Sequence, residues 1–276
     1  MIEINEKNFP DKKFREYIVN EIDLDRKSFL TEREIKEIIN IDIGYEYGIK
    51  SLQGIELFLN LQELICCNTE ITELDVSKNL NLIYLNCHST KITSLDLSHN
   101  LILDWLDCSC TRIKTLDINN NLELTHLSYE KTKISSLDIS NNLKLERLNC
   151  ADTKITELDI HNHLYMTELS CNSTSINSLD ISNNRMLKYL NCSNTRITSL
   201  DVKNNPALEV ISCQSTKVIS LNLSNNPKLE RLNCENTPLI SLDVTKNTML
   251  KELYCDNEVI QTLDVTNNPR LKVLYQ

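Results

Sequence analysis

The stretch Leu145–Tyr165, L-E-R-L-N-C-A-D-T-K-I-T-E-L-D-I-H-N-H-L-Y, decides the fold, because it is one unit of a period that the chain repeats. Its cysteine, Cys150, belongs to a series spaced by twenty-one residues: Cys66, Cys87, Cys108, Cys150, Cys171, Cys192, Cys213, Cys234 and Cys255. Tyr129 interrupts the series in register. A period held without insertion across about ten units means a solenoid, in which each repeat stacks on the one before it. A residue is then read by its column in the stack.

Within the unit the apolar columns are Leu145, Leu148, Cys150, Ile155, Leu158 and Ile160, matched one unit pair later by Leu187, Leu190, Cys192, Ile197, Leu200 and Val202. Around Leu148-Asn149-Cys150 the side chains alternate with period two, as in a half-buried strand. Stacked units make a parallel sheet, and the remainder returns as a second extended segment. Twenty-one residues leave little room for a helix in that return. A single unit cannot bury its apolar face, whereas a stack buries a continuous core.

These columns resemble the leucine-rich repeat signature L-x-x-L-x-L-x-x-N/C-x-L in order and spacing, with Cys at the third Leu and Thr at the Asn. The twenty-one-residue unit with its internal cysteine series is similar to bacterial internalins of the cysteine-ladder type. The resemblance runs over about residues 38–276. It implies a mostly β solenoid with a curved parallel sheet, extended convex return segments and a small helical cap. It also implies a protein of the bacterial cell surface or secretome. It does not name a ligand, because the family binds many unrelated things.

The Thr column runs from Thr69 to Thr237 and fails at Glu258; its hydroxyl is expected to bond turn backbone. An acidic column, Asp75, Asp96, Asp117, Asp138, Asp159, Asp180, Asp201, Asp243 and Asp264, has Asn222 as its exception. Each Asp precedes a turn whose backbone N–H groups it can accept, and Asn222 keeps that acceptor while it would weaken a metal site. Turn capping is therefore the expectation over a cation ladder.

The chain has 276 residues, a net charge of −10 and three glycines. Tight turns must then come mostly from Asn and Asp, which tolerate left-handed backbone. The acidic balance argues against nucleic acid, whose phosphates reward clustered Lys and Arg. No run is long enough to span a membrane, and Met1–Glu6 lacks the basic and apolar regions of a secretory signal. Eleven cysteines, odd in number and mostly periodic, read as reduced buried thiols rather than a disulfide framework. Identical side chains on neighbouring in-register strands point the same way, so the redox compartment stays open.

Residues 1–37 break the period. Phe14, Tyr17, Ile18 and Ile22 fall at helical spacing within Asp11–Ile22, and Thr31-Glu32-Arg33-Glu34 reads as a capped second helix start. The segment between them, from Asp23, resembles an EF-hand calcium loop, with Asp23, Asp25 and Glu34 at its first, third and twelfth places. Lys27 stands where a ligand belongs and Ser28 where the loop needs glycine, so the loop is expected to be a degenerate relic. This segment is expected to cap the solenoid over 38–276, whose irregular first repeat uses Ile38, Ile41 and Ile43, twenty-three residues before Leu61, Leu64 and Cys66. At the other end the chain stops partway through an eleventh strand with Gln276 in the cysteine column. An open edge there invites further chain or self-association.

The face of the sheet turned from the core, the concave face in this family, is the expected contact surface, in the columns of Glu63, Ile65 and Cys67. Tyr84, Asn86, His88, Trp105, Asp107, His126, Arg147 and Tyr189 are its candidate residues, because exposed Trp, Tyr and Arg concentrate binding energy. Tyr84 and Trp105 could instead only pair across strands. Tyr254 and Tyr275 are a second candidate contact. Cys67 and His88 share a column, but two ligands make a poor zinc site. Cys110 stands off the ladder, partly exposed. A basic column, Lys91, Arg112, Lys133, Lys154, Arg196 and Lys217, lies at the edge of the sheet. No catalytic motif and no cofactor loop is present, and the five histidines fall at scattered columns. The sequence reads as a non-enzymatic recognition scaffold for a protein partner. The alternatives are an adhesin for glycan or cell-wall polymer, with sugar rings on Trp105 and Tyr84, and a self-associating structural surface unit.

Overall fold

The structure is a computed structural model. It describes residues 1–23, 25–256, 259 and 263–275, the side chains of 273–275 excepted. The expectations for Glu258, Tyr275 and Gln276 lie outside the described residues and side chains. By contacts the chain divides into two units, Met1–Asn142 and Leu143–Gln276.

The first unit opens with β1 (Ile2–Glu3), paired antiparallel to β2 (Phe29–Leu30). Between them α1 (Lys12–Tyr17) runs into a single wider turn at Ile18–Ile22, so the expected helix is shorter and changes pitch. Asp11 caps α1: one carboxylate oxygen accepts the N–H of Lys13 and of Phe14, while the other accepts those of Lys50 and Ser51. One side chain thus ties the helix to the segment leading into the first full repeat. α2 (Glu32–Glu37) starts on a capping box between Thr31 and Glu34.

From there the unit builds parallel strands of three residues: β3 (Asn40–Asp42), β4 (Glu63–Ile65), β5 (Tyr84–Asn86), β6 (Trp105–Asp107) and β7 (His126–Ser128). β3 pairs with β4 at the twenty-three-residue offset, Ile41 opposite Leu64. Ile41 and Ile43 are buried as the sequence suggests, whereas Ile38 is half-exposed at the end of α2.

The second unit repeats the arrangement with β8 (Arg147–Asn149), β9 (Glu168–Ser170), β10 (Tyr189–Asn191), β11 (Val210–Ser212), β12 (Arg231–Asn233), β13 (Glu252–Tyr254) and β14 (Val273–Tyr275). Each pairs in register with the next, for example Leu190 with Ile211.

Three polar columns hold the stack. Each of the nine Thr of the column from Thr69 to Thr237 is buried and donates its hydroxyl to the carbonyl three residues back, as Thr111 does to Cys108 at 2.7 Å. Each acidic-column residue, Asn222 included, accepts the N–H two residues on, as Asp96 does from Ser98 at 2.9 Å. Those bonds hold the carboxyls of Asp75, Asp96, Asp138, Asp180 and Asp264 below their ordinary range. The third column has no counterpart in the sequence reading. Asn79, Asn100, Asn121, Asn142, Asn184, Asn205, Asn226, Asn247 and Asn268 are buried, with His163 as the column's exception. Each side-chain amide donates twice, to carbonyls 21 and 24 residues earlier; Asn121 reaches Asn100 at 2.8 Å and Leu97 at 3.1 Å.

All eleven cysteines are free thiols. The ladder members are buried, and several donate weakly to the carbonyl of the next strand, Cys150 to Ser170 at 3.3 Å. Two expectations are corrected. Cys67, in an outward column, is not open to solvent: it is buried, with Gly44 packed so close that an added Cβ would meet its sulfur at 3.0 Å. The left-handed turns are not mostly Asn and Asp. Of the nine such positions from Asn68 to Asn236, Ser89, Cys110, Lys131, Ser173 and Ser215 are five. The bonds across each turn over-determine a backbone that these residues seldom adopt.

Candidate partner-binding face

In each three-residue strand the central side chain is buried and the flanking two face away from the core. Period-two alternation therefore fixes which side chains a partner could touch. On β5 and β6 these are Tyr84 with Asn86 and Trp105 with Asp107, paired in register. The phenol of Tyr84 and the indole of Trp105 stack with centroids 4.1 Å apart and planes 9° apart. The expected cross-strand pairing is thus present. Both residues keep part of their surface open, and partial burial pushes the Tyr84 hydroxyl's pKa up.

Two of the polar candidates, Asn86 and Asp107, are tied to backbone. Asn86 accepts the His88 N–H at 3.1 Å, and Asp107 accepts the Ser109 N–H at 2.9 Å. His88 Nδ1 lies 3.9 Å from the second Asp107 oxygen. His126, on β7 opposite Trp105, has its Nδ1 2.7 Å from the Thr125 hydroxyl. Tyr84, Asn86, His88, Trp105, Asp107 and His126 therefore form one neighbourhood on three adjacent strands. Arg147 and Tyr189 belong to the second unit. There Arg147 pairs with Glu168 at 3.2 Å, and Tyr189 is half-buried between Glu168 and Val210.

Sequence reasoning passed over several exposed apolar side chains in the first unit. Ile83 and Ile102 flank the starts of β5 and β6, and Leu80 and Leu101 stand 55% and 54% exposed one turn earlier. Tyr45 and Tyr47, beyond β3, are 65% and 77% exposed. The leucine column was legible as Leu59, Leu80, Leu101 and Leu122 at the common period. Its exposure was not, since a leucine next to a turn reads as core.

In the calcium-like loop, Asp23 is buried and accepts the N–H groups of Lys27 and Ser28. Lys27 Nζ lies 2.8 Å from Glu34 and 3.1 Å from Asp25. The ammonium sits among the carboxylates that would hold a divalent cation, which does not fit calcium binding. Among the described residues no group of three His, Cys, Asp or Glu side chains is placed to hold a metal, and no helix is long and apolar enough to cross a membrane.

Parallel three-residue strands, irregular returns and a buried thiol at the same point of most turns define a leucine-rich repeat solenoid. The chain has a leucine-rich repeat fold with a cysteine ladder, similar to that of the cysteine-ladder internalins. The functional domain of InlJ from Listeria monocytogenes, which includes a cysteine ladder, superposes with a TM-score of 0.83 at 29% identity. That match covers 99% of this chain, which spans 65% of the InlJ chain. The L. monocytogenes internalin InlF matches with a TM-score of 0.64 at 19% identity, over 99% of this chain and 97% of its own. A leucine-rich repeat protein of Leptospira interrogans matches at 0.63 and 15%, over 88% and 85%. The last two show the fold alone. No family model and no curated protein matches the sequence.

Proposed function

We propose that this chain is a non-enzymatic recognition scaffold that binds a protein partner through the outer face of its repeat sheet, centred on β5 and β6. The observation that carries the reading is the stacked Tyr84–Trp105 pair, part-open and set among Asn86, Asp107, His88 and His126. A rigid aromatic platform whose neighbours Asn86 and Asp107 are already tied to backbone loses little freedom on binding, as hot spots require. The likeness to InlJ supports a bacterial surface or secreted setting, and residues 1–37 serve as the solenoid's cap.

The test is capture of surface proteins by the wild-type chain and by Trp105→Ala. One protein retained stoichiometrically by the wild type and lost by the variant supports the reading; equal retention by both overturns it. The same stack favours a second reading, because sugar rings lie flat on exposed aromatics. Glycan-array binding abolished by Trp105→Ala, with no protein retained, would establish that adhesin role instead.

A further inference from the structure

The outward side chains of β3 to β7 carry an unusual balance of charge. Asp42, Glu63 and Asp107 face outward, with Glu130 just past β7, and no Lys or Arg occupies an outward column there among the described residues. Glu130 is paired with Lys131 at 3.1 Å. Asp42, Glu63 and Asp107 have only neutral donors or a distant imidazole: Gly44 N–H, the Asn40 amide, Ser109 N–H and His88. The second unit treats the same columns differently. Its outward arginines each pair with the carboxylate of the next strand, Arg147 with Glu168 at 3.2 Å and Arg231 with Glu252 at 3.3 Å.

The unpaired carboxylates flank the aromatic stack. Glu63 is the strand neighbour of Tyr84, and Asp107 lies two residues beyond Trp105. Two electron-rich ring faces with a carboxylate to either side present what a guanidinium binds best, a stacking plane and anionic acceptors together. In the segments that lead into β5 and β6, Leu80, Ile83, Leu101 and Ile102, each 38% to 55% exposed, supply an aliphatic shelf.

Resting on the protein-recognition reading, we infer that the partner presents an arginine-bearing apolar segment. Its guanidinium lies on the Tyr84–Trp105 stack within reach of Glu63 and Asp107, and its neighbouring apolar side chains lie on the shelf. Charge complementarity selects this occupant over an acidic peptide, and the shelf selects it over a purely basic one.

Trp105 is the chain's only tryptophan, so its fluorescence reports this face alone. The probe is a synthetic peptide alternating arginine and leucine, titrated to millimolar concentration. Its controls are the same peptide with citrulline for arginine, which keeps shape and removes charge, and one with glutamate for arginine. The expected result is a saturable change of Trp105 emission with the arginine peptide. Affinity should fall about tenfold with citrulline, and similarly in Glu63→Gln/Asp107→Asn. It should also weaken as salt is raised. Absence of a saturable change, or equal binding of the citrulline peptide, overturns the inference. If the captured protein is still lost in Trp105→Ala, the recognition reading stands while this one falls. If Trp105→Ala keeps the protein, the face itself is wrong.

Discussion

Lys27 Nζ stands 2.8 Å from Glu34 Oε1, an internal ammonium held where a calcium loop would hold its ion. The Lys27 contact first, and the Thr31 bonds after it, hold the Glu34 carboxyl down at about 2 against an ordinary 4.5. A depressed carboxylate lends stability that is complete above its unfolded value and is lost as pH falls through its folded value. The contribution should therefore fade between pH 4.5 and about 2. Thermal unfolding of wild type and Lys27→Gln, followed against pH, should differ by a constant amount near neutrality and converge at the acid end. Added calcium should leave the wild-type transition unmoved.

Asn121 donates to two buried carbonyls in earlier turns. Asn121→Ala removes the cross-turn donor from both carbonyls, which keep only the N–H groups of Asn100 and Leu103, and should cost about 1–3 kcal/mol in denaturant unfolding. Asn121→Asp should cost more, because an ionised carboxylate there has no N–H to give and is itself buried. A substitution at the exposed neighbour Asn120 should leave the midpoint within a few tenths of a kcal/mol.

The thiols should react in two classes. Burial pushes the Cys192 thiol up to about 12 and Cys255 to about 11, with Cys66, Cys87, Cys108 and Cys171 also raised. Cys110 alone is partly exposed. Ellman's reagent should therefore count one fast thiol in the folded chain and eleven after denaturation. Cys110→Ser should abolish the fast phase. Because Cys110 sits at φ 55°, Cys110→Asn should fold at least as stably, while Cys110→Val should lose about 1–2 kcal/mol.

Gly54 has φ +105°, and a Cβ there would run into the Phe9 ring and come 2.6 Å from the Asn8 carbonyl oxygen. Phe9 itself packs against Phe14 and Phe58. Gly54→Ala should cost at least about 2 kcal/mol, from backbone strain and displaced packing together. Limited proteolysis should then cut first within residues 1–37.

Period alone made the Cys, Thr and Asp columns readable, since each repeats one chemistry at one place in the turn. The asparagine column hid in plain view: Asn121 beside Asn119 and Asn120 reads as turn composition. Only the stack shows that one of the three is buried and bonded backwards. Cys67 misled for a related reason, because what covers it is Gly44 in the irregular first repeat, where the column rule lapses. The Tyr84–Trp105 contact was legible as an alternative, since both fall in one outward column on neighbouring strands. Its unpaired acidic setting became visible only beside the paired arginines of the second unit.

The backward reach of the asparagine amides has a genetic corollary. Asn100 answers to Asn79 and Val76, at separations of 21 and 24, and each later amide repeats the same two intervals. Recombination that removes or copies one whole repeat hands every donor an equivalent acceptor, whereas the insertion of a single codon spoils both intervals for the amide whose reach spans it. Such a gene can change the reach of its product in whole increments without redesigning its interior.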